Sequence, residues 1–443
     1  MDQNTKCWMK VYSNNLDQKN LPTCEQESSY QQLANGFTQK LITSGAIAIV
    51  ATLGSFVAEV QAATFSLPIE AAAKATGVDV LRDRYNLDGS GITIGIISDS
   101  FATAETFDIS GNRDTYATNI ADGYLPSGVK VLKDYSEADT TDEGRALSQL
   151  IHAIAPGAKL AFHTDGRGAD NLGQGIQALA AAGADIIVDD VHYVYPPDIP
   201  DAPLNQLDLE PPEGLINQAI NTVVNQGVSY FTSAGNGIDI PIYGHSNNPN
   251  ALTVGAVYYG NAESYSNKTF DVVLEQGQLE PFSREGNLDF LKPDVVAPDG
   301  LPISFGLGGK DAPRIANPGF FDFFGTSASA PYTAAVAALL LQADLSATPT
   351  EIYNALRNTA DSPVSGFDSR LGFGLIQADK AIAALGVKPK PIPEPATNLA
   401  VICVGVLIAG LSLKRNQQRS KTIANPSERL TLVHSSFTQL PKV

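Results

Sequence analysis

Four residues of this chain sit in contexts suited to acyl-transfer chemistry. Ser327 lies in Gly325-Thr326-Ser327-Ala328-Ser329-Ala330-Pro331, where a long apolar helix begins. A serine hydroxyl is a poor nucleophile unless a base takes its proton and donors hold the oxyanion that forms. A helix start aims free N–H groups and the positive end of the dipole at such a charge. Serine is also an ordinary N-cap, and for Ser327 alone that alternative stands. Asn236, in Ser233-Ala234-Gly235-Asn236-Gly237, either donates its side-chain amide to an oxyanion or simply serves a turn. Asp99 ends the run GITIGIISDS, and Glu143 in Asp142-Glu143-Gly144 opens a helix. Both are carboxylates placed where a chain reverses direction.

The elements that must position these residues alternate along the chain. The β-branched run at 91–98 reads as a buried parallel strand. Apolar residues at 146, 147, 150, 151 and 154 predict a helix over 145–154, stopped by Ala155-Pro156-Gly157. Strands follow at 159–163, 185–188, 229–233 and 251–257, with helices at 172–182, 215–226 and 327–341. Repeated strand–helix units imply an α/β fold with a mostly parallel sheet covered by helices on both faces. Ligands of such sheets bind outside the carboxyl ends of the strands, so active residues should follow strands directly. The four residues above meet that requirement or open a helix beside it.

Taken in order, the motifs resemble the subtilase clan of serine peptidases. An Asp follows the first strand, and a Gly-flanked residue opens a helix leading to Ala155-Pro156-Gly157-Ala158. Ser-Ala-Gly-Asn-Gly and Gly-Thr-Ser-x-x-x-Pro come next. Leu252-Thr253-Val254-Gly255-Ala256-Val257, Pro293-Asp294-Val295-Val296-Ala297-Pro298 and Gly372-Phe373-Gly374-Leu375-Ile376-Gln377 run alongside, so the resemblance covers about 88–385. It implies a subtilisin-like three-layer fold. It also implies peptide or protein substrates, Ser327 as nucleophile, Asn236 in the oxyanion hole and Asp99 in the catalytic set. Where the subtilisin-like branch carries its histidine base, this chain carries Glu143. The sedolisin branch uses a glutamate there with an aspartate four residues on, a position occupied here by Leu147, and an aspartate where this chain has Asn236. The pattern is a hybrid of the two.

Five histidines could stand in as base: His152, His163, His192, His245 and His434. His152 lies nine residues along the Glu143 helix, on its far side. His192 follows Asp189-Asp190 where the clan places its substrate-holding edge, which makes Asp190 and His192 secondary candidates. Asp142 is the adjacent rival to Glu143. With Glu143 as base, Asp99 beside it disfavours double ionisation, so these two are expected to share one proton. A base with a carboxylate pKa predicts an acidic pH optimum. Family members often bind calcium, but no Asp-x-Asp-x-Asp-Gly loop occurs, so no metal site is assigned. A non-catalytic binding module with this fold, and a hydrolase of other esters or amides, remain open alternatives.

The 443 residues carry Lys+Arg 29 against Asp+Glu 47, a formal charge of −18 that argues against nucleic-acid partners. Cysteine occurs only at Cys7, Cys24 and Cys403, which leaves the body of the chain no thiolate nucleophile, disulfide or Cys-ligated zinc. Residues 1–62 read as an N-terminal extension. It contains the uncharged run 41–58 with Lys40 before it and Val60-Gln61-Ala62 after it, the layout of a secretory signal; a buried helix is the alternative. Residues 63–387 form the peptidase-like domain, followed by a proline-rich linker at 388–396. An apolar span at 397–413 is long enough to cross a bilayer, and a basic tail occupies 414–443. Pro393-Glu394-Pro395, an apolar span and a basic cluster together resemble the PEP-CTERM sorting signal. That resemblance implies an exported, envelope-associated protein handled by a sorting protease.

Overall fold

A computed structural model of the chain describes residues 64–389, except 138–139, 167, 194–213, 238–239, 287–288 and 308–318. The signal-like run, the membrane span and the basic tail expected above lie outside the described residues. So do nearly all of the linker and the proline-rich stretch 194–212. Among the described residues no helix is long and apolar enough to cross a membrane.

The β-branched runs build one seven-stranded sheet in which every pairing is parallel. With strands numbered along the chain, the order across it is β11 (Val295–Asp299), β8 (Leu252–Tyr258), β7 (Ser229–Ser233), β6 (Ile186–Asp189), β1 (Thr93–Ser98), β5 (Lys159–Thr164) and β4 (Lys130–Lys133). Three antiparallel ribbons stand apart from it: β2 (Thr106–Phe107) with β3 (Arg113–Asp114), β9 (Ser264–Asn267) with β10 (Val272–Glu275), and β12 (Leu301–Ile303) with β13 (Phe321–Phe323).

Nine helices are described: α1 (Glu70–Thr76), α2 (Val78–Arg84), α3 (Tyr116–Ala121), α4 (Glu143–Ile154), α5 (Ala169–Ala181), α6 (Leu215–Asn225), α7 (Thr326–Ala343), α8 (Pro349–Thr359) and α9 (Ala378–Ala384). Both sheet faces are covered, because strand side chains alternate between them. Ile94 and Ile96 of β1 enter a large core with α4 and α7, while Ile97 enters a second core with α5 and α6. This is the mostly parallel, three-layer α/β arrangement expected from the alternating pattern. Helix α7 is buried on all sides from Thr326 to Leu340, which explains its run of alanines and lack of a polar face.

One boundary shift matters for the site. Helix α4 starts at Glu143, as its place before Gly144 predicts and two residues ahead of the apolar periodicity, and Asp142 takes a left-handed conformation (φ 60°) that turns the chain into the helix. Gly144 then lies against β5 and the β1 loop. A Cβ there would stand 2.2 Å from the Phe162 ring and 2.8 Å from the Ser100 carbonyl oxygen, so only glycine fits.

Candidate active site

The site is assembled at the carboxyl ends of β1, β6 and β7 and the N-termini of α4 and α7. Asp99 leaves β1 half-buried and is fixed by donors on both oxygens. Its Oδ1 accepts from the Ser100 N–H and from the Glu143 N–H at 3.0 Å. Its Oδ2 accepts from the Thr141 N–H at 2.6 Å and the Thr141 hydroxyl at 2.8 Å. Asp99 therefore ties the start of α4 to the end of β1 and brings its charge close to Glu143.

The Glu143 carboxyl faces two side chains within hydrogen-bonding reach, Ser327 and Asp190. Burial first, and the Asp99 charge second, push the Glu143 carboxyl up to about 7. Asp190 is held well above the usual carboxylate range by its own burial and by Glu143, while the Ser98 hydroxyl bonds it from β1. Two half-buried carboxyl groups in contact hold one proton between them, since double ionisation is repulsive. The pairing thus differs from the expected one. Asp99 has its oxygens filled by N–H and O–H donors, and the group that meets Glu143 carboxyl to carboxyl is Asp190.

Strand alternation explains how Asp190 reaches the site. Asp189, the last residue of β6, lies on the α5–α6 side with Ile187. There it accepts from Tyr230 at 2.5 Å and Thr232 at 3.0 Å and pairs with His245 Nε2 at 3.1 Å. Asp190 comes one residue later and so falls on the opposite face, with α4 and α7. Leu147, where the sedolisin pattern has its aspartate, is fully buried in the apolar core. The carboxyl partner of Glu143 comes from a different element instead.

Ser327 is the second residue of α7 and is 8% exposed. Ahead of it Gly325 adopts φ 125°, a conformation that favours glycine, and a Cβ there would come within 2.9 Å of Asn236 Nδ2. The Asn236 amide is oriented through its oxygen, which accepts from the Thr326 N–H and hydroxyl, each at 3.0 Å. That leaves the NH2 end directed toward the turn before Ser327. The Thr326 hydroxyl is also an acceptor for Gly235 N–H at 3.0 Å, which locks the β7 loop to the start of α7.

Two secondary candidates are turned elsewhere. Asp142 is buried. Its Oδ1 accepts from Thr103 N–H at 2.9 Å, Ala104 N–H at 2.8 Å and the Ser100 hydroxyl at 3.1 Å. Its Oδ2 pairs with the fully buried Arg145 at 3.2 Å. It is committed to the loop after β1 and is no rival to Glu143. His192 Nε2 meets the Ser233 carbonyl at 3.0 Å, and its ring packs edge-on against Tyr243. Burial, with His245 and Arg284 nearby, lowers its pKa to about 3, so it is a neutral ring bracing the β7 loop.

The groups acting on Glu143 are Asp99, Asp190 and Ser327, with no imidazole among them. His152 lies along α4, lowered to about 4 by burial and Arg82. His163 bonds the Thr164 carbonyl at 2.6 Å. His434 lies outside the described residues. Among the described residues no three His, Cys, Asp or Glu side chains converge.

The model of the Subtilase family matches residues 137–374, which include Glu143, Asp190, Asn236 and Ser327 but not Asp99. The chain is 23% identical over 327 residues to "Serine protease AprX" of Bacillus subtilis (strain 168), covering 69% of each protein. It is 29% identical over 175 residues to fervidolysin of Fervidobacterium pennivorans, covering 38% of this chain and 23% of that one. Among solved structures, a lanthipeptide protease superposes with TM-score 0.49 and 17% identity, over 73% of this chain and 99% of that one. MycP1 from Mycobacterium smegmatis gives TM-score 0.48 and 19% identity, over 72% of this chain and 85% of that one.

Proposed function

This chain belongs to the subtilase family, and on that premise we propose that it is a serine endopeptidase whose general base is Glu143 rather than a histidine. The observation that carries the reading is the Glu143 carboxyl facing both Ser327 and Asp190, with no imidazole acting on it. Ser327 Oγ attacks the scissile carbonyl as Glu143 takes its proton, and the leaving amine receives that proton in turn. Asn236 Nδ2, held by its oxygen on Thr326, and the free N–H groups at the start of α7 stabilise the oxyanion. Water then enters on the same carboxylate and releases the acyl group. Asp190 holds the shared proton and steadies Glu143, as aspartate steadies histidine in the familiar triad. Asp99 fixes the helix start and raises the basicity of Glu143 by its charge.

With the base raised to about 7, the working form is the singly protonated Glu143–Asp190 pair. Activity follows a bell against pH: it falls in acid as the pair gains a second proton, and in base as it loses its last one. The acid limb lies near pH 7, where Glu143 ionises, and the optimum lies above it, in contrast to the acidic optimum that an unshifted carboxylate base predicts. Hydrolysis of a denatured protein substrate and labelling of Ser327 by a fluorophosphonate test this. Ser327→Ala loses both. Glu143→Gln and Asp190→Asn lose at least 100-fold, in the range of a lost acid–base group. Asp99→Asn loses less and shifts the profile downward. Full activity in Glu143→Gln, or a rate that does not fall as pH drops below about 7, sinks the glutamate-base reading.

Two segments support export and retention at the cell envelope: the uncharged run at 41–58, and the 397–413 span that follows Pro-Glu-Pro and precedes a basic cluster. Fractionation of cells expressing the full chain, with and without 397–413, tests it. Release of the deletion form from the membrane fraction is expected, and unchanged partitioning counts against anchoring.

A further inference from the structure

A second pair of carboxyl groups lies behind the turn that carries Ser327. Glu280, in the segment after β10, and Asp299, the last residue of β11, are both 0% exposed, and their side chains face each other within hydrogen-bonding reach. Tyr265 of β9 places its hydroxyl 2.7 Å from both oxygens of Glu280. Asp299 Oδ2 accepts the Gly325 N–H at 3.0 Å, whereas its Oδ1 is buried with no protein donor.

The donors are thus one phenol O–H and one peptide N–H, against two buried carboxyl groups in contact. A single proton on the pair supplies the missing donor to Asp299 Oδ1 and removes the repulsion of two buried charges. Among the described residues, the other titratable groups around the pair are Tyr258 of β8, Tyr265 of β9 and Asp322 of β13, two phenols and an acid, none of which offsets a second negative charge. Burial accordingly pushes Glu280 up to about 7 and holds Asp299 well above the usual range.

The bond from Asp299 reaches the residue where the active-site turn is freest. Gly325, at φ 125°, connects β13 to Thr326 and Ser327 and touches the Asn236 amide. We propose that Glu280 and Asp299, sharing one proton, are positioning residues that hold the Gly325–Ser327 turn in register with Asn236, and release it when that proton is lost. The inference rests on the reading of Ser327 as nucleophile.

The test compares wild type, Glu280→Gln and Glu280→Ala in the full chain, by the rate of Ser327 labelling with a fluorophosphonate and by Tm, each against pH. Glutamine offers Asp299 an N–H that base cannot remove. The labelling ratio of Glu280→Gln to wild type should be near one up to about pH 7, where the pair still holds a proton, and rise several-fold at more alkaline pH as the last proton leaves. Taking the ratio cancels the titration of Glu143 and Asp190, which both proteins share. The Tm advantage of the glutamine variant should widen over the same interval, and Glu280→Ala should label at least 10-fold more slowly throughout. A ratio that stays flat, as a merely structural role would give, overturns the proposal. Should wild type not label at all, the nucleophile reading fails by itself, and a flat Tm difference between wild type and Glu280→Gln then overturns the pair's hold on the turn.

Discussion

A glutamate side chain free in solution ionises near 4.5, whereas in this site ionisation is deferred to about 7. Between those values the folded protein keeps a proton that the unfolded chain has already lost. The contribution of Glu143 to stability is therefore fully present below about 4.5 and is lost as pH rises through about 7. On the proposed role, a group that must be ionised to work is held where ionisation is disfavoured, which would make it a better base and a worse structural residue. Glu143→Gln should thus abolish activity and yet raise stability above neutral pH, by roughly 2–3 kcal/mol from the size of the shift. Thermal or urea unfolding of the two proteins across pH checks this. The difference should be small below pH about 4.5 and grow through neutrality; a constant offset would mean that Glu143 titrates normally in the fold. The sequence points to Glu143 by its place before a glycine at a helix start. Its raised basicity depends on Asp190 and Asp99 arriving from other strands, which no local pattern reports.

At the scale of elements, the start of α4 is the joint on which the geometry turns. Three features set it: the left-handed Asp142, the Glu143 N–H on Asp99, and Gly144 lying against Phe162 and the Ser100 carbonyl. Arg145 anchors the same turn from below, reaching Asp114 at 2.5 Å, Asn119 at 2.6 Å and the Phe101 carbonyl at 3.1 Å. Gly144→Ala adds one methyl group into this contact. It should cost about 1–3 kcal/mol as an overpacked site and displace the Glu143 carboxyl from Ser327. Labelling of Ser327 should fall by more than the stability loss accounts for, and a variant that labels at the wild-type rate would show that α4 can shift without consequence. The same scale separates Glu143 from Asp142, its adjacent rival. Adjacent residues at a helix start point in different directions, and only the three-dimensional path of the loop after β1 reveals that Asp142 has its oxygens occupied.

For the whole molecule, two cores on opposite sheet faces are closed by residues between Leu67 and Ile382. The N-terminal helices belong to this body: Thr76 of α1 lies 2.7 Å from the Tyr332 hydroxyl of α7, and Gln377, just ahead of α9, donates to the Ala75 carbonyl at 3.1 Å. A chain of residues 64–389 should therefore fold by itself, with a cooperative thermal transition and Ser327 labelling within about twofold of the full chain. Loss of the transition on removing the flanking segments would show that the body needs them.

The sequence alone determined the parallel sheet with helices on both faces, the order of Asp99, Glu143, Asn236 and Ser327, and the absence of histidine at the position before Gly144. These follow from local periodicity and from motifs a few residues long. The tertiary structure alone decided which carboxyl group meets Glu143. Asp189 and Asp190 are chemically identical neighbours, and strand alternation sends one to His245 behind the sheet and the other to Ser327 in front of it. It also decided that His192 braces a carbonyl and that Glu280 and Asp299 meet behind Gly325. Contacts between residues far apart in the chain are set by how whole elements pack, and the energies that shift these carboxyl groups arise only once that packing has excluded water.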